Sequence, residues 1–256
     1  MPHFDEDRDA VIARAKEAGV VAMVTIGVDL AHSRAAVALA EQYEEIYATV
    51  GVHPNDCADF GPETLAELRN LAGRPNVVAI GEIGLDYYWD RSPVEQQKRA
   101  FRDQLALAAD LGLPVVIHDR EAHEDVRAEL RAWAREVLPG TRLAQRPFAG
   151  VLHSFSGDLA MAEEAYEWGF VLGLSGPVTF KNARALQALV RELDRERVII
   201  ETDAPFLSPH PYRGKRNEPA RVALVAEKLA ELWGMSVEEV AELTTAATRR
   251  LFQIDN

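Results

Sequence analysis

Five positions in this 256-residue chain place an imidazole or a carboxylate at or just after a β-branched run. They are His53 in GVHP, Glu82 in GEIGLD, His118 in VIHDR, His153 in VLHSF and Asp203 in ETDAP. Neutral imidazole and carboxylate together form a donor set that suits zinc, manganese, iron or magnesium, and residue type alone does not select among these ions. Each residue taken singly has a plainer role. A strand-end histidine is ordinarily a hydrogen-bonded structural residue, and Glu82 or Asp203 alone would cap a helix or hold an arginine. Burying five such groups at one end of a fold is costly unless a metal or partners compensate them. The joint pattern therefore predicts a metal site.

Parallel strands are what would bring five such positions to one end. The apolar runs VVAMVTIGV (20–28), IYATVGV (46–52), VVAIGEIGL (77–85), PVVIH (114–118), GVLHSF (150–155), FVLGLSG (170–176) and VIIETD (198–203) are continuous rather than alternating. That pattern marks strands buried on both faces. Amphipathic stretches such as 62–72, 94–112 and 124–138 separate them, as helical crossovers would. The reading is α/β, a TIM-like (β/α)8 barrel with seven recognisable strands, whereas a closed barrel has eight. The chain opens on a helix-like segment, DEDRDAVIARAKEAG (5–19), with no apolar run before it, so the first strand is the one expected to be missing. No linker divides the sequence, and residues 1–256 read as a single barrel domain.

A hydrophobic content of 48% is enough for a sizeable core, and no apolar run reaches the roughly 18 residues of a membrane span. The acidic N-terminus has no secretory h-region, and Cys57, the one cysteine, cannot form an intrachain disulfide; a cytoplasmic protein is expected. The net charge of −13 argues against broad binding to nucleic acid through a basic surface, but not against a phosphate substrate in a locally cationic pocket. Arg120, Lys181, Asn182, Arg213, Lys215 and Arg216 supply such cations and polar groups in the loops that follow strands. The triplet Tyr87, Tyr88 and Trp89 reads equally as core packing or as a surface on which a nucleobase stacks. His32, His123, His210 and Cys57 receive no assigned role.

The motifs GVHP, GEIGLDYY, IHDR, LHSFSG, LSGPVTFKNA and ETDAPFLSP…RGKRNEP, in this order, closely resemble those of the TatD-type metal-dependent deoxyribonucleases, from about residue 10 to the C-terminus. The resemblance implies a TIM-like barrel related to the amidohydrolases, two divalent metals, and magnesium-dependent cleavage of DNA from the 3′ end. It implies that Glu82 bridges or ligates metal, that His118 and His153 complete one metal position, and that Asp203 ligates the other and activates water. It further implies that His53, Arg120, Arg213 and Asn217 fall at positions that resemble substrate-contacting ones. The family's opening D-x-H-x-H-L-D motif, whose two histidines bind the first metal, does not occur here, and His3 is the only histidine before residue 32. A start assigned at an internal methionine is the expected reason, leaving one metal position in this chain and reduced activity. The expected function is divalent-metal-dependent 3′–5′ exonuclease action on DNA, with Mg2+ as the expected ion and Mn2+ or Zn2+ open. The alternatives are deacylation of D-aminoacyl-tRNA and a non-catalytic barrel that binds nucleic acid or protein.

Overall fold

All seven continuous apolar runs are strands in the computed structural model, which describes residues 2–254. The elements in chain order are α1 (Arg8–Glu17), β1 (Met23–Thr25), α2 (Leu30–Gln42), β2 (Ile46–Val50), α3 (Pro62–Ala72), β3 (Val77–Asp86), α4 (Val94–Leu111) and β4 (Val115–Arg120). They continue with α5 (His123–Glu136), β5 (Gly150–Leu152), α6 (Leu159–Glu167), β6 (Phe170–Leu174), α7 (Arg184–Glu192), β7 (Val198–Ile200), α8 (Val222–Trp233) and α9 (Val237–Phe252). Among the described residues no strand precedes α1, and no helix is long and apolar enough to cross a membrane.

The chain divides into two compact units. The larger comprises Ala22–His153, Glu164–Phe170 and the chain from Arg250. In it β1 to β5 lie side by side in chain order, every pair parallel. All ten residues of β3 are buried, which is why its sequence shows no polar alternation. Ile80, Ile83 and Leu85 of β3 pack in a core with Leu68, Phe101, Leu105, Ile117 and Leu130, all fully buried. The Trp133 indole, admitted to that core, donates to the Leu105 carbonyl at 3.1 Å. α4 stops at Gly112, whose φ of 72° closes the helix in the left-handed conformation.

The smaller unit comprises residues 2–21, 154–163 and 171–249. β6 and β7 pair in parallel there, with Leu172, Gly173 and Leu174 opposite Val198, Ile199 and Ile200. The Trp233 indole ties α8 to the end of α7 by donating to the Val190 carbonyl at 2.9 Å. The segment from Glu201 to Glu218, between β7 and a short turn of helix at Pro219–Arg221, carries neither an α-helix nor a strand.

Candidate metal centre

The site in the larger unit is built at the ends of β2, β3 and β4. Glu82 and Asp86 both belong to β3, four residues apart, so the period of two along a strand sets both carboxylates on one face. Glu82's backbone is clamped: its N–H donates to the Gly27 carbonyl at 2.8 Å, and the Gly81 carbonyl accepts from the Thr49 hydroxyl at 2.6 Å. Between these carboxylates the chain must pass very close to β4. Gly84 has a φ of 147°, and a Cβ there would lie 2.0 Å from the His118 carbonyl oxygen, so only glycine fits.

That approach sets His118 between the two acids. Its Nδ1 is 2.7 Å from Glu82 Oε1 and its Nε2 is 3.1 Å from Asp86 Oδ2. Carboxylate oxygens only accept, so an imidazole bonded at both nitrogens carries two protons and a positive charge. Burial opposes that charge, but the bonds to Asp86 and Glu82 outweigh it and raise the His118 pKa to about 9. Burial likewise opposes ionisation of Glu82, yet the charges of His153 and His118 hold its carboxyl well below the usual range. Asp86 is depressed in the same sense against its burial, chiefly by its bond to His118 and by the backbone N–H of Trp89.

His53 follows β2 and completes the cluster. Its ring meets that of His118 edge-on, with centroids 4.3 Å apart, and its Nε2 is 3.8 Å from Glu82 Oε1. Its Nδ1 accepts from the Asn55 N–H at 3.1 Å, which leaves Nε2 as the nitrogen turned toward the acids. Burial lowers its pKa to about 4, so it is neutral at pH 7, and with Nδ1 accepting from Asn55 its one proton sits on Nε2. His53, Asp86 and His118 bring ligand atoms within 4.8 Å of one another. His153 follows β5, its N–H donating to the Ile117 carbonyl at 2.9 Å, and its charge acts on both Glu82 and His53.

Buried carboxylates with imidazoles in reach fit a divalent ion. The side chain of Asn55 supports the same reading. Its Nδ2 donates to Asp86 Oδ2 at 3.0 Å, while its buried Oδ1 has no partner.

Among the residues expected from sequence, the fold thus gathers Glu82 and His118 with His53, in a cluster that also feels His153. His53, which the resemblance makes a substrate contact, sits inside the donor cluster. Arg120 ends β4 with its guanidinium 4.0 Å from the Tyr88 ring. Asp203, Arg213 and Asn217 belong to the smaller unit, in the segment after β7. Asp203 takes a φ of 54°, and its carbonyl accepts from the Phe206 N–H at 2.8 Å. Arg213 is exposed and lies 4.5 Å from the Phe180 ring. Asn217 is fully buried; its amide donates to the Thr202 and Phe206 carbonyls, both at 2.8 Å, and accepts from the Glu218 N–H at 2.9 Å. In the same unit the Glu201 carboxylate accepts from the N–H of Ser154.

Asp86 and Asn55 are functional candidates that the strand-end reading passed over. The signal for Asp86 was available in GEIGLD: counting by twos from Glu82 reaches it. Two buried glutamines were also missed. Gln97 of α4 accepts from the Asp86 N–H at 2.9 Å and donates to its carbonyl at 3.1 Å. One heptad on, Gln104 does the same for Val52, at 2.8 and 3.1 Å, next to His53. Two of the three histidines given no role have structural ones: His32 bonds Asp29 at 2.8 Å, and His123 bonds Asp119 at 2.7 Å.

Alternating parallel strands and helices, with buried carboxylates and imidazoles at strand ends, define a metal-dependent hydrolase of the α/β class. The chain belongs to the TatD-related DNase family, whose model matches residues 1–253. It is 44% identical over 252 residues to YabD of Bacillus subtilis, named as a metal-dependent hydrolase, covering 98% of this chain and 95% of that one. It is 40% identical over 255 residues to a protein of Erwinia amylovora named 3′-5′ ssDNA/RNA exonuclease TatD, covering 97% and 95% respectively. Among solved structures, the TatD homologue YJJV of Escherichia coli superposes with a TM-score of 0.90 at 31% identity, over 100% of this chain and 95% of that one. The expected TIM-like α/β class is therefore the observed one, and the family places the chain among hydrolases rather than non-catalytic barrels.

Proposed function

We propose that this chain is a cytoplasmic, divalent-metal-dependent exonuclease that removes nucleotides from the 3′ end of single-stranded DNA. The observation that carries the reading is the buried cluster of Glu82, Asp86, His53 and His118, whose carboxylates and imidazoles suit a divalent ion, which we take to be Mg2+ or Mn2+. The name of the Erwinia relative supports the bond class and the polarity.

Glu82, Asp86, His53, His118 and His153 are the residues that would hold the ion, each imidazole giving up the proton on its coordinating nitrogen, and Asp203, in the segment after β7, is the proposed base. When bound, such an ion polarises a phosphoryl oxygen and makes water a competent nucleophile near neutral pH. The protein's own groups do the rest. Asp203 takes the proton of the attacking water, as an ionised carboxylate in reach can. Arg120 and Arg213 hold the phosphates, opposing the charge that develops on the equatorial oxygens. Asn217 holds the backbone on both sides of Pro205 and so fixes the turn that follows Asp203.

The test is digestion of a single-stranded oligonucleotide labelled at one end or the other, with Mg2+ or Mn2+ present. A 3′ label should leave as a mononucleotide from the earliest times, while a 5′ label should pass through a ladder of shortening products. Chelator and the Glu82→Gln variant should both stop the reaction. Intact oligonucleotide with the metal-loaded wild type, or mononucleotide released first from the 5′ label, would refute the reading.

A further inference from the structure

The three aromatics that follow Asp86 part company in the structure. Tyr87 turns inward: its hydroxyl donates to Asp125 Oδ2 at 2.6 Å, and its N–H donates to the Arg120 carbonyl at 2.9 Å. Tyr88 and Trp89 turn outward, 50% and 45% exposed. Large rings ordinarily gain from burial, so two adjacent rings half open to solvent invite a ligand with an apolar face.

Neither ring is loosely held. The backbone N–H groups of both donate to Asp86 Oδ1, at 3.0 and 3.1 Å, while Oδ2 of the same carboxylate faces His118. One side chain thus joins the candidate metal cluster to the aromatic turn. The rings meet at 89° with centroids 4.9 Å apart, so each keeps a face that the other does not cover. The surroundings are cationic. The Arg120 guanidinium lies 4.0 Å from the Tyr88 centroid and 6.0 Å from that of Trp89, and the Arg91 guanidinium lies 5.4 Å from Trp89. Among the described residues no carboxylate pairs with Arg120, in a chain of net charge −13.

We propose that Tyr88 and Trp89, flanked by Arg120 and Arg91, form a stacking platform for an unpaired nucleobase of the substrate strand. The aromatic faces receive the base, and the guanidinium groups meet the phosphates on either side of it. Stacking is open to a base in a single strand and closed to one already stacked in a duplex, so the platform selects single-stranded ends. It is indifferent to base identity, because every base presents a π face. The proposal rests on the exonuclease reading above and adds to it where the substrate's base lies.

The test compares a single-stranded oligonucleotide with one whose 3′-terminal nucleotides are abasic, with Mn2+ present. The wild type should favour the base-bearing end in kcat/KM by roughly 5- to 150-fold, the range measured for stacking one base. In Tyr88→Ala/Trp89→Ala the ratio should fall toward one, while Tyr88→Phe/Trp89→Phe, which keeps both rings, should restore it. A ratio that is unchanged in the alanine variant overturns the platform and leaves the exonuclease reading standing. A wild type that cuts neither oligonucleotide refutes the exonuclease reading, and the platform falls with it.

Discussion

Gln97 grips Asp86 with both ends of its amide, accepting from the backbone N–H and donating to the backbone carbonyl. It behaves as one residue of an extra strand laid against the end of β3. Gln104 repeats this at Val52 from the same face of α4, so one helix sets both the end of β3 at Asp86 and the segment after β2 that carries His53. A leucine at either position matches the volume and strands two buried backbone groups.

Gln97→Leu should therefore cost about 2–6 kcal/mol, from two unsatisfied groups at about 1–3 kcal/mol each. Because it displaces Asp86 without touching metal, it should also weaken Mn2+ binding by about 10- to 100-fold, as loss of a supporting residue does. Thermal unfolding and a Mn2+ titration measure the two effects. Full metal affinity in a destabilised Gln97→Leu would disconnect the clamp from the site.

Glu82→Gln keeps the shape of the side chain and removes its charge, leaving His118 with one anionic partner. Wild-type protein in Mn2+ at 100 times its dissociation constant should gain about 2.7 kcal/mol of stability over chelated protein. At that same concentration the variant should gain almost none, and its nuclease activity should vanish. Equal metal-induced shifts in melting temperature for the two proteins would remove Glu82 from the ligand set.

Gly84 permits the contact that brings His118 to the acids. Gly84→Ala adds a Cβ 2.0 Å from a backbone oxygen, at a φ of 147° that an alanine rarely adopts. No flexible side chain can yield there. The cost should exceed about 4 kcal/mol, the range of severe backbone and packing lesions. A soluble Gly84→Ala protein that melts within a few degrees of wild type would show that β3 and β4 can separate without loss.

The strands were legible because both faces of a parallel sheet are buried, and continuous valine and isoleucine runs cannot mean much else. His118 and His153 were picked out because the ends of such strands are where side chains leave the core, whereas Glu82, placed at a strand end by the same reasoning, lies inside β3. Asp86 was not picked out, because LDYY after a glycine looks like the start of a loop, and only the register with β4 shows that β3 continues to residue 86. Gln97 and Gln104 were hidden for another reason. A glutamine on an amphipathic helix reads as solvated, and its burial depends on a strand end, distant in sequence, that needs both a donor and an acceptor. The same holds for Asn217, which reads as a substrate contact in a basic loop and proves to be fully buried, its amide satisfied by backbone.

The N-terminal helix is held by charge. Arg216 bonds both oxygens of Asp7, at 2.9 and 2.6 Å, and Arg14 of α1 bonds Glu218 at 2.6 Å. The bond from Arg216 lowers the Asp7 pKa, against the small opposing effect of its burial. A carboxyl whose folded pKa lies below its unfolded value of about 3.9 stabilises the fold at higher pH and loses that contribution as pH falls through the folded value. The difference in melting temperature between wild type and Asp7→Asn should accordingly be present at pH 6 and shrink below pH 4. A gap of the same size at both values would mean that the side-chain amide replaces the carboxylate fully.

Asn217 separates two roles that the basic loop confuses. Arg213 is exposed, so Arg213→Ala should leave the melting temperature within about 0.5 kcal/mol of wild type in stability and act on substrate affinity. Asn217 makes three bonds to backbone between Thr202 and Glu218, and at about 1 kcal/mol for each, Asn217→Ala should cost about 2–4 kcal/mol. The turn it fixes begins at Asp203, whose backbone already sits at a φ of 54° that non-glycine residues seldom hold without support. Released from that support, Asp203 should spend less time in its working position, so kcat should fall more than KM rises. The reverse pattern, a higher KM with normal kcat and normal stability, would return Asn217 to the substrate side of the site.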